Sequence, residues 1–449
     1  MGQFIKIKFD IGYENERRKK MTMHMILALG ILILMIGLIM SDKMAFGAPP
    51  ILACLLLVVT GLSTVPQAFD GFVNPMVIMI AGFMVVMAGL MKTSLISKVQ
   101  SSMLALVHKG GYKSYALLLV VVMLGASFVG GGAAGYYVLI LSLISTIPYN
   151  KKMPTSKLMM PLGFATGHPL IPFNVAFFYG LTVSVLQTAG YHGGLSMTKF
   201  AVVNFILALG FLAWSLIAYR LLPDHPIAED SVNEEVASTI EIGIKAMPAW
   251  KEYITIAAFI ISVVGMMLMS MLGNAAYVIP GLAGAFLLAI NVLDFKEVRD
   301  NMGTPVILMM AGVIGVADAL ANSGFTALIG KVVAHSLGTN INPFILIFIF
   351  ALLTSTCATF TGSNMGSVFI FAPVAIATTM SLGLNPVAAA TAVVISGWNG
   401  GYMPIDGMPA MVLGMGKYKL PQFWLFSVPM YLIRILVLCI GAIIIFPVH

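Results

Sequence analysis

The chain has 449 residues, of which 59% are hydrophobic and only 9% are Asp, Glu, Lys or Arg, against about 25% charged residues in soluble proteins. That balance excludes an ordinary soluble domain and points to a polytopic membrane chain. The net charge of +7 would suggest anionic partners in a soluble protein; here it fits Lys and Arg gathered in cytoplasmic loops.

Residues 1–20 form a polar tail that ends in Arg17-Arg18-Lys19-Lys20. Apolar spans are expected at about 21–40, 49–63 and 74–91. The first is followed by a second apolar run after Pro50, so it is read as a retained span and not a cleaved signal peptide. A basic stretch, 92–113, carries Lys92, Lys98, Lys109 and Lys113. The apolar run 115–147 is interrupted by Gly130-Gly131-Gly132. Each glycine disfavours a helix interior by about 1 kcal/mol, so the run is expected to be a re-entrant hairpin with the glycines at its tip. Segment 157–187 is broken by His168-Pro169 and Pro172-Phe173-Asn174, because each proline removes a backbone donor. A span at about 200–219 closes the first half.

A hydrophilic linker, 220–253, carries Asp224, Glu229, Asp230, Glu234 and Glu235. Spans follow at about 254–271, 278–292 and 304–321. A second hairpin is expected at 343–379 around Gly362-Ser363-Asn364, and a second broken helix at 385–415, interrupted between Gly397 and Pro409. The last span runs from about 421 to 446.

The halves repeat one plan. Ala126-Ser127-Phe128-Val129-Gly130-Gly131-Gly132 returns as Ala358-Thr359-Phe360-Thr361-Gly362-Ser363-Asn364. Asn74-Pro75 with Ala81-Gly82 returns as Thr304-Pro305 with Ala311-Gly312, at a nearly identical offset. Placing loops 41–48, 92–113, 150–157, 220–253, 293–303 and 416–420 in the cytoplasm gathers most of the 24 Lys and Arg there. That arrangement makes the halves inverted. The expected organisation is a tail at 1–20, a first transmembrane repeat at 21–219, a cytoplasmic linker at 220–253 and a second repeat at 254–449. Inverted repeats with broken helices are the signature of a secondary transporter, with its site where the repeats meet.

The site is therefore sought at the breaks. Half-helix N-termini carry partial positive charge suited to an anion, while unwound carbonyls and Asn or Ser oxygens can hold a cation. Substrate contacts are expected from Gly131, Gly132, His168, Asn174, Ser363, Asn364 and Met408. A sodium ion is expected at Ser363, Asn364 and Asp406. An intramembrane carboxylate or imidazole by default marks an ion or proton pathway, which makes His168, Asp406 and Asp318 the proton-coupling candidates. Arg434 is the main basic residue inside a predicted span. The three cysteines, Cys54, Cys357 and Cys439, fall in apolar runs and are read as packing residues. No P-loop, nucleotide fingerprint or zinc spacing occurs, so no cofactor beyond a possible sodium ion is called for.

Gly71-Phe72-Val73-Asn74-Pro75, with Ala88-Gly89-Leu90-Met91-Lys92-Thr93 and Ser156-Lys157-Leu158-Met159-Met160-Pro161, resembles the divalent anion:sodium symporter family and its arsenite- and malonate-permease relatives. Thr361-Gly362-Ser363-Asn364, with Pro373, is similar to that family's Ser-Asn-Thr hairpin tip. Tyr402-Met403-Pro404 through Lys417-Tyr418 is similar to its second broken-helix loop. The likeness covers most of residues 21–446. It implies the ion-transporter superfamily fold, a homodimer, an elevator-type motion and sodium-linked di- or tricarboxylate transport. The chain departs from the family where glycines replace the first tip, where Met365 follows Asn364, and where Gly407-Met408-Pro409-Ala410 replaces the family's Thr-Pro-Pro-Asn loop.

The expected protein is an all-α, multi-pass inner-membrane transporter that moves a small carboxylate anion with sodium or protons. It is not an enzyme and has no nucleic-acid partner. The alternatives are the large membrane subunit of a binding-protein-dependent carboxylate transporter, or a transporter of another small anion. A lipid-modifying membrane enzyme would need clustered His, Asp or Glu, whereas the seven histidines are scattered. A channel fits poorly with two dissimilar hairpin tips.

Overall fold

The computed structural model describes residues 23–41, 44, 48–129, 134–145, 153–172, 175–191, 193–227, 247–324, 328, 341–361, 364–404 and 407–448. Among these residues the chain is helical throughout and has no strand. The first half runs α1 (Met23–Ser41), α2 (Ala48–Val59), α3 (Pro75–Met91), α4 (Leu95–Lys109), α5 (Gly111–Val129), α6 (Ala134–Ser145), α7 (Thr155–Ala165), α8 (Ala176–Thr188) and α9 (Met197–Ala218). The second half runs α10 (Ala249–Met267), α11 (Ala275–Ala289), α12 (Phe295–Met302), α13 (Pro305–Ser323), α14 (Pro343–Thr361), α15 (Asn364–Ser381), α16 (Val387–Ser396), α17 (Gly407–Met415) and α18 (Leu420–Ile445). Among the described residues, six helical segments are long and apolar enough to cross a bilayer: Gly111–Phe128, Met197–Ala218, Ala249–Met267, Pro343–Phe360, Asn364–Ser381 and Leu420–Ile445.

The breaks fall where proline and glycine stop regular helix. α7 ends at Ala165, before His168-Pro169, and α8 resumes at Ala176. α16 ends at Ser396, and α17 starts at Gly407. Both hairpins have two helical arms, α5 with α6 and α14 with α15. The glycine tip 130–132 and Gly362-Ser363 lie outside the described residues.

Two stretches differ from the sequence reading. The linker 220–253 ends early, because Ala249–Tyr253 already form the first turn of α10. The loop 293–303 contains a short helix, α12, started by a capping box. Asp294 accepts from Glu297 N–H at 2.7 Å, and Glu297 accepts from Asp294 N–H at 2.8 Å. Lys92 at the end of α3 then pairs with Glu297 at 2.6 Å and donates to the Val292 carbonyl at 3.1 Å. Local polar residues thus make a helix that hydropathy alone does not show.

Away from the site, small residues let helix backbones close on one another, as they do in membrane bundles. A side chain at Gly82 on α3 would sit 2.4 Å from the Gly281 nitrogen on α11. The turn before α3 and helix α13 are fitted reciprocally: a Cβ at Gly71 would lie 2.0 Å from the Ala311 carbonyl oxygen, and one at Gly315 would lie 2.0 Å from that of Ala68. On the other side, α9 and α18 lie together, joined by a hydrogen bond from Trp214 Nε1 to the Phe426 carbonyl at 3.1 Å. A second apolar cluster, including Tyr115, Tyr136, Phe164, Phe211 and Phe426, surrounds that pair and the first hairpin.

Candidate anion site between the two breaks

The break after α7 is shaped by its own side chains. Thr166 Oγ1 donates to the Gly163 carbonyl at 2.6 Å, and the backbone N–H of His168 donates to that of Ala165 at 3.0 Å. The open strand beyond is held by the first hairpin. Leu170 N–H donates to the Met123 carbonyl at 3.1 Å, and Ile171 N–H donates to Ser127 Oγ at 2.9 Å. Ser127 and its repeat counterpart Thr359 play parallel parts. Each hydroxyl donates to a carbonyl one turn back, Met123 for Ser127 and Ser355 for Thr359. Thr359 then presses on the second break, where a Cβ at Gly400 would come within 2.2 Å of its Oγ1.

His168 is 5% exposed. Its Nδ1 lies 2.7 Å from the Phe164 carbonyl oxygen, and its ring is stacked on Phe211 at 4.0 Å between centroids. Its Nε2 faces Arg434 Nη1 of α18 at 3.0 Å. Arg434 is 2% exposed. Its Nη2 donates to the carbonyls of Asn399 and Gly400 in the unwound stretch after α16. The carbonyl end of α7 and the unwound stretch after α16 are therefore held by an imidazole and a guanidinium that also touch each other. Arg434 Nε is buried without a hydrogen-bond partner, and no salt bridge reaches Arg434 among the described residues.

Both groups line a cavity of about 280 Å³ that joins the two halves. Phe164, Thr166 and Gly167 come from the first break; Gly397, Trp398, Gly401, Met403, Met408 and Pro409 come from the second. Thr359 and Asn364 come from the second hairpin, and Tyr137 comes from the first. With the Asn364 amide turned so that its NH2 donates to the Gly397 carbonyl at 3.1 Å, its oxygen accepts from Trp398 Nε1 at 3.3 Å. The indole in turn meets Phe177 and Phe178 of α8 edge to face. Trp398 thus ties the second hairpin to both broken helices.

Positive potential reaches this cavity from three groups. α15 begins at Asn364 and α17 begins at Gly407 beside Met408, so two helix N-termini border it together with Arg434. The described lining contains no Asp or Glu. A buried guanidinium, two helix N-termini and aromatic side chains are groups of the kind that hold a small anion.

Of the residues expected from sequence, the structure brings His168, Asn364 and Met408 to this cavity. Gly131, Gly132, Asn174, Ser363 and Asp406 lie outside the described residues. Asp318 lines a different cavity, with Asp70, Gln67, Gln187 and Asn322. Sequence reasoning singled out Arg434 as an unusual basic residue in a span but did not place it in the site. It missed Trp398 and Thr359, although the alignment of Thr359 with Ser127 carried the signal.

The apolar helices define a multi-pass membrane protein, and the family match makes it a transporter. The model of the citrate transporter family matches residues 36–395, and the chain belongs to that family, which lies in the ion transporter superfamily and is related to the divalent anion:sodium symporters. The chain is 30% identical over 138 residues to the uncharacterized transporter sll0640 of Synechocystis sp., a match covering 30% of this chain and 22% of that protein. It is 26% identical over 207 residues to the uncharacterized transporter YfbS of Escherichia coli K12, covering 45% of this chain and 33% of that one. The matched stretches thus span a third or less of these relatives. Among solved structures, the YdaH transporter of Alcanivorax borkumensis superposes with a TM-score of 0.61 at 16% identity, over 94% of this chain and 98% of that one. MtrF of Neisseria gonorrhoeae, described as one of a class of antimetabolite efflux pumps, superposes with a TM-score of 0.57 at 14% identity, over 88% and 85% of the two chains. These two likenesses speak to the fold.

Proposed function

We propose that this protein is a secondary active transporter of a small organic anion, a di- or tricarboxylate such as citrate, coupled to a cation. The observation that carries the reading is the Arg434 guanidinium, buried at the meeting point of the two breaks with no described carboxylate to neutralise it. A buried cation without a paired anion is costly. A carboxylate entering the cavity would supply the missing charge and the acceptor that Arg434 Nε lacks. The repeated element order, the paired breaks and the family membership support inverted repeats that move by elevator-type alternating access, in a homodimer in the inner membrane. The sodium position remains the second tip, with Ser363, Asn364 and Asp406 as oxygen donors. Uptake of labelled citrate and succinate into proteoliposomes, under separate sodium and pH gradients, tests the reading. Gradient-driven accumulation of either acid supports it; failure of both to enter or to exchange refutes it.

A further inference from the structure

The contact between His168 and Arg434 fixes the protonation state of the imidazole. The Phe164 carbonyl can only accept, so His168 Nδ1, 2.7 Å away, carries the hydrogen. The Arg434 guanidinium can only donate, so His168 Nε2, 3.0 Å away, offers its lone pair. His168 in this structure is therefore the neutral Nδ1–H tautomer, and Arg434 occupies the site of its second proton. A proton on Nε2 would set N–H against N–H. It becomes compatible with the geometry only when an acceptor stands between the two groups. A carboxylate is such an acceptor: one oxygen can take Arg434 Nη1–H and the other His168 Nε2–H, both as charge-assisted bonds.

We infer that His168 and Arg434 form a joint anion-and-proton site, in which a bound carboxylate displaces the direct contact and His168 takes up a proton at Nε2. This rests on the reading of the cavity as a carboxylate site. The step is a simple acid–base balance. Neutral imidazole gains one proton from the aqueous phase, the carboxylate stays ionised, and both leave together when the anion departs. Histidine is the side chain whose ordinary titration falls in the physiological range.

The surroundings single out His168. From α18 it faces Arg434, with Tyr431 beyond; from α9 it faces the Phe211 ring; Tyr137 of α6 is the other titratable group in the described lining. No Asp, Glu or Lys borders the cavity among the described residues. The carbonyls of Asn399 and Gly400, unwound backbone of the sort that ligates sodium in broken-helix transporters, are already held by Arg434. A fixed cation thus stands where an exchangeable one could have bound, and a proton on the adjoining imidazole is the mobile charge. Asp406, outside the described residues, is the competing carrier by sequence.

Citrate binding to the purified full-length protein should be measured calorimetrically at about pH 8, in buffers of different ionisation enthalpy, to count protons taken up per anion. Free citrate is fully ionised there, so the count includes any proton the bound anion takes up, and the difference between wild type and His168→Gln isolates the imidazole. Wild type is expected to take up about one proton per citrate, and His168→Gln about none. His168→Gln is also expected to bind more weakly, because it loses a charge-assisted contact. A purely structural His168 would change affinity alone and leave the proton count as in wild type. Measurable binding by wild type without proton uptake overturns the inference and leaves the anion site standing. Uptake that survives in His168→Gln, as a proton carried by Asp406 would produce, also overturns it. No binding of citrate or succinate by wild type refutes the anion site itself, and the inference with it.

Discussion

Arg434, on the last helix, and His168, in the break of the first half, lie 266 residues apart in sequence and meet at 3.0 Å. Each also holds backbone at its break: His168 at Phe164 near the end of α7, and Arg434 at Asn399 and Gly400 beyond α16. One contact therefore couples the two halves at the floor of the cavity, so a ligand that separates the pair is felt at both breaks.

The first break depends on Ser127. Its hydroxyl accepts from Ile171 N–H at 2.9 Å and donates to the Met123 carbonyl at 2.9 Å. Ser127→Ala leaves a backbone N–H without its partner, at a cost of about 1–3 kcal/mol. Thermal unfolding in detergent should show a lowered midpoint, and citrate affinity should fall as the His168 loop loosens. An unchanged midpoint and affinity would mean that water replaces the hydroxyl at no cost.

At the second break, Gly400→Ala puts a methyl group 2.2 Å from Thr359 Oγ1 and 3.4 Å from the Ser355 carbonyl oxygen. The hairpin and the Arg434 acceptor cannot both keep their places. Uptake should drop at least about tenfold, with a stability loss in the ~1–3 kcal/mol range of overpacking. The double variant Gly400→Ala with Thr359→Ala should recover part of both. Absence of any recovery would show that the strain lies elsewhere.

The second tip yields a paired test of the sodium position. The Asn364 oxygen accepts from Trp398 Nε1, so a sodium ion there competes with the indole. Trp398→Phe keeps aromatic packing on Phe177 and Phe178 while removing the donor. It should lower the sodium concentration for half-maximal uptake by roughly fivefold, the equivalent of one hydrogen bond of about 1 kcal/mol. Asn364→Ala should flatten the sodium dependence. Identical sodium curves for wild type and both variants would exclude the tip as a sodium site.

Distant from the cavity, Gly315→Ala drives a Cβ to 2.0 Å from the Ala68 carbonyl oxygen. Helix α13 must then move off the turn before α3. The expected result is a lower thermal midpoint, with transport lost in proportion to the folded fraction. A variant that folds like wild type but does not transport would instead assign that contact to the transport motion.

Sequence made the plan of the molecule readable because prolines and glycines interrupt apolar runs at matching places. α7 stops ahead of His168-Pro169, α17 starts at Gly407, and each hairpin has its two arms where the apolar runs put them. The short helix α12 stayed hidden because its start comes from two polar residues, Asp294 and Glu297, and not from hydropathy. The site was legible only in part. His168, Asn364 and Met408 could be named from the breaks, since a break must present polar groups or loop backbone to the cavity. Trp398 carried no signal, because its Nε1 partner is set by tertiary structure. The partnership of Arg434 with His168 is carried by the packing of α9 against α18 and by carbonyls at Asn399 and Gly400. Backbone acceptors have no sequence signature.

Counterflow of labelled citrate into proteoliposomes, with wild type, Arg434→Lys and Arg434→Gln compared at equal amounts of monodisperse protein, tests the central claim most directly. A lysine keeps the charge but cannot hold two carbonyls and an anion with one planar fork. The account predicts exchange by wild type, a loss of about tenfold or more in Arg434→Lys and no exchange in Arg434→Gln. Exchange at the wild-type rate by a folded Arg434→Gln would contradict it.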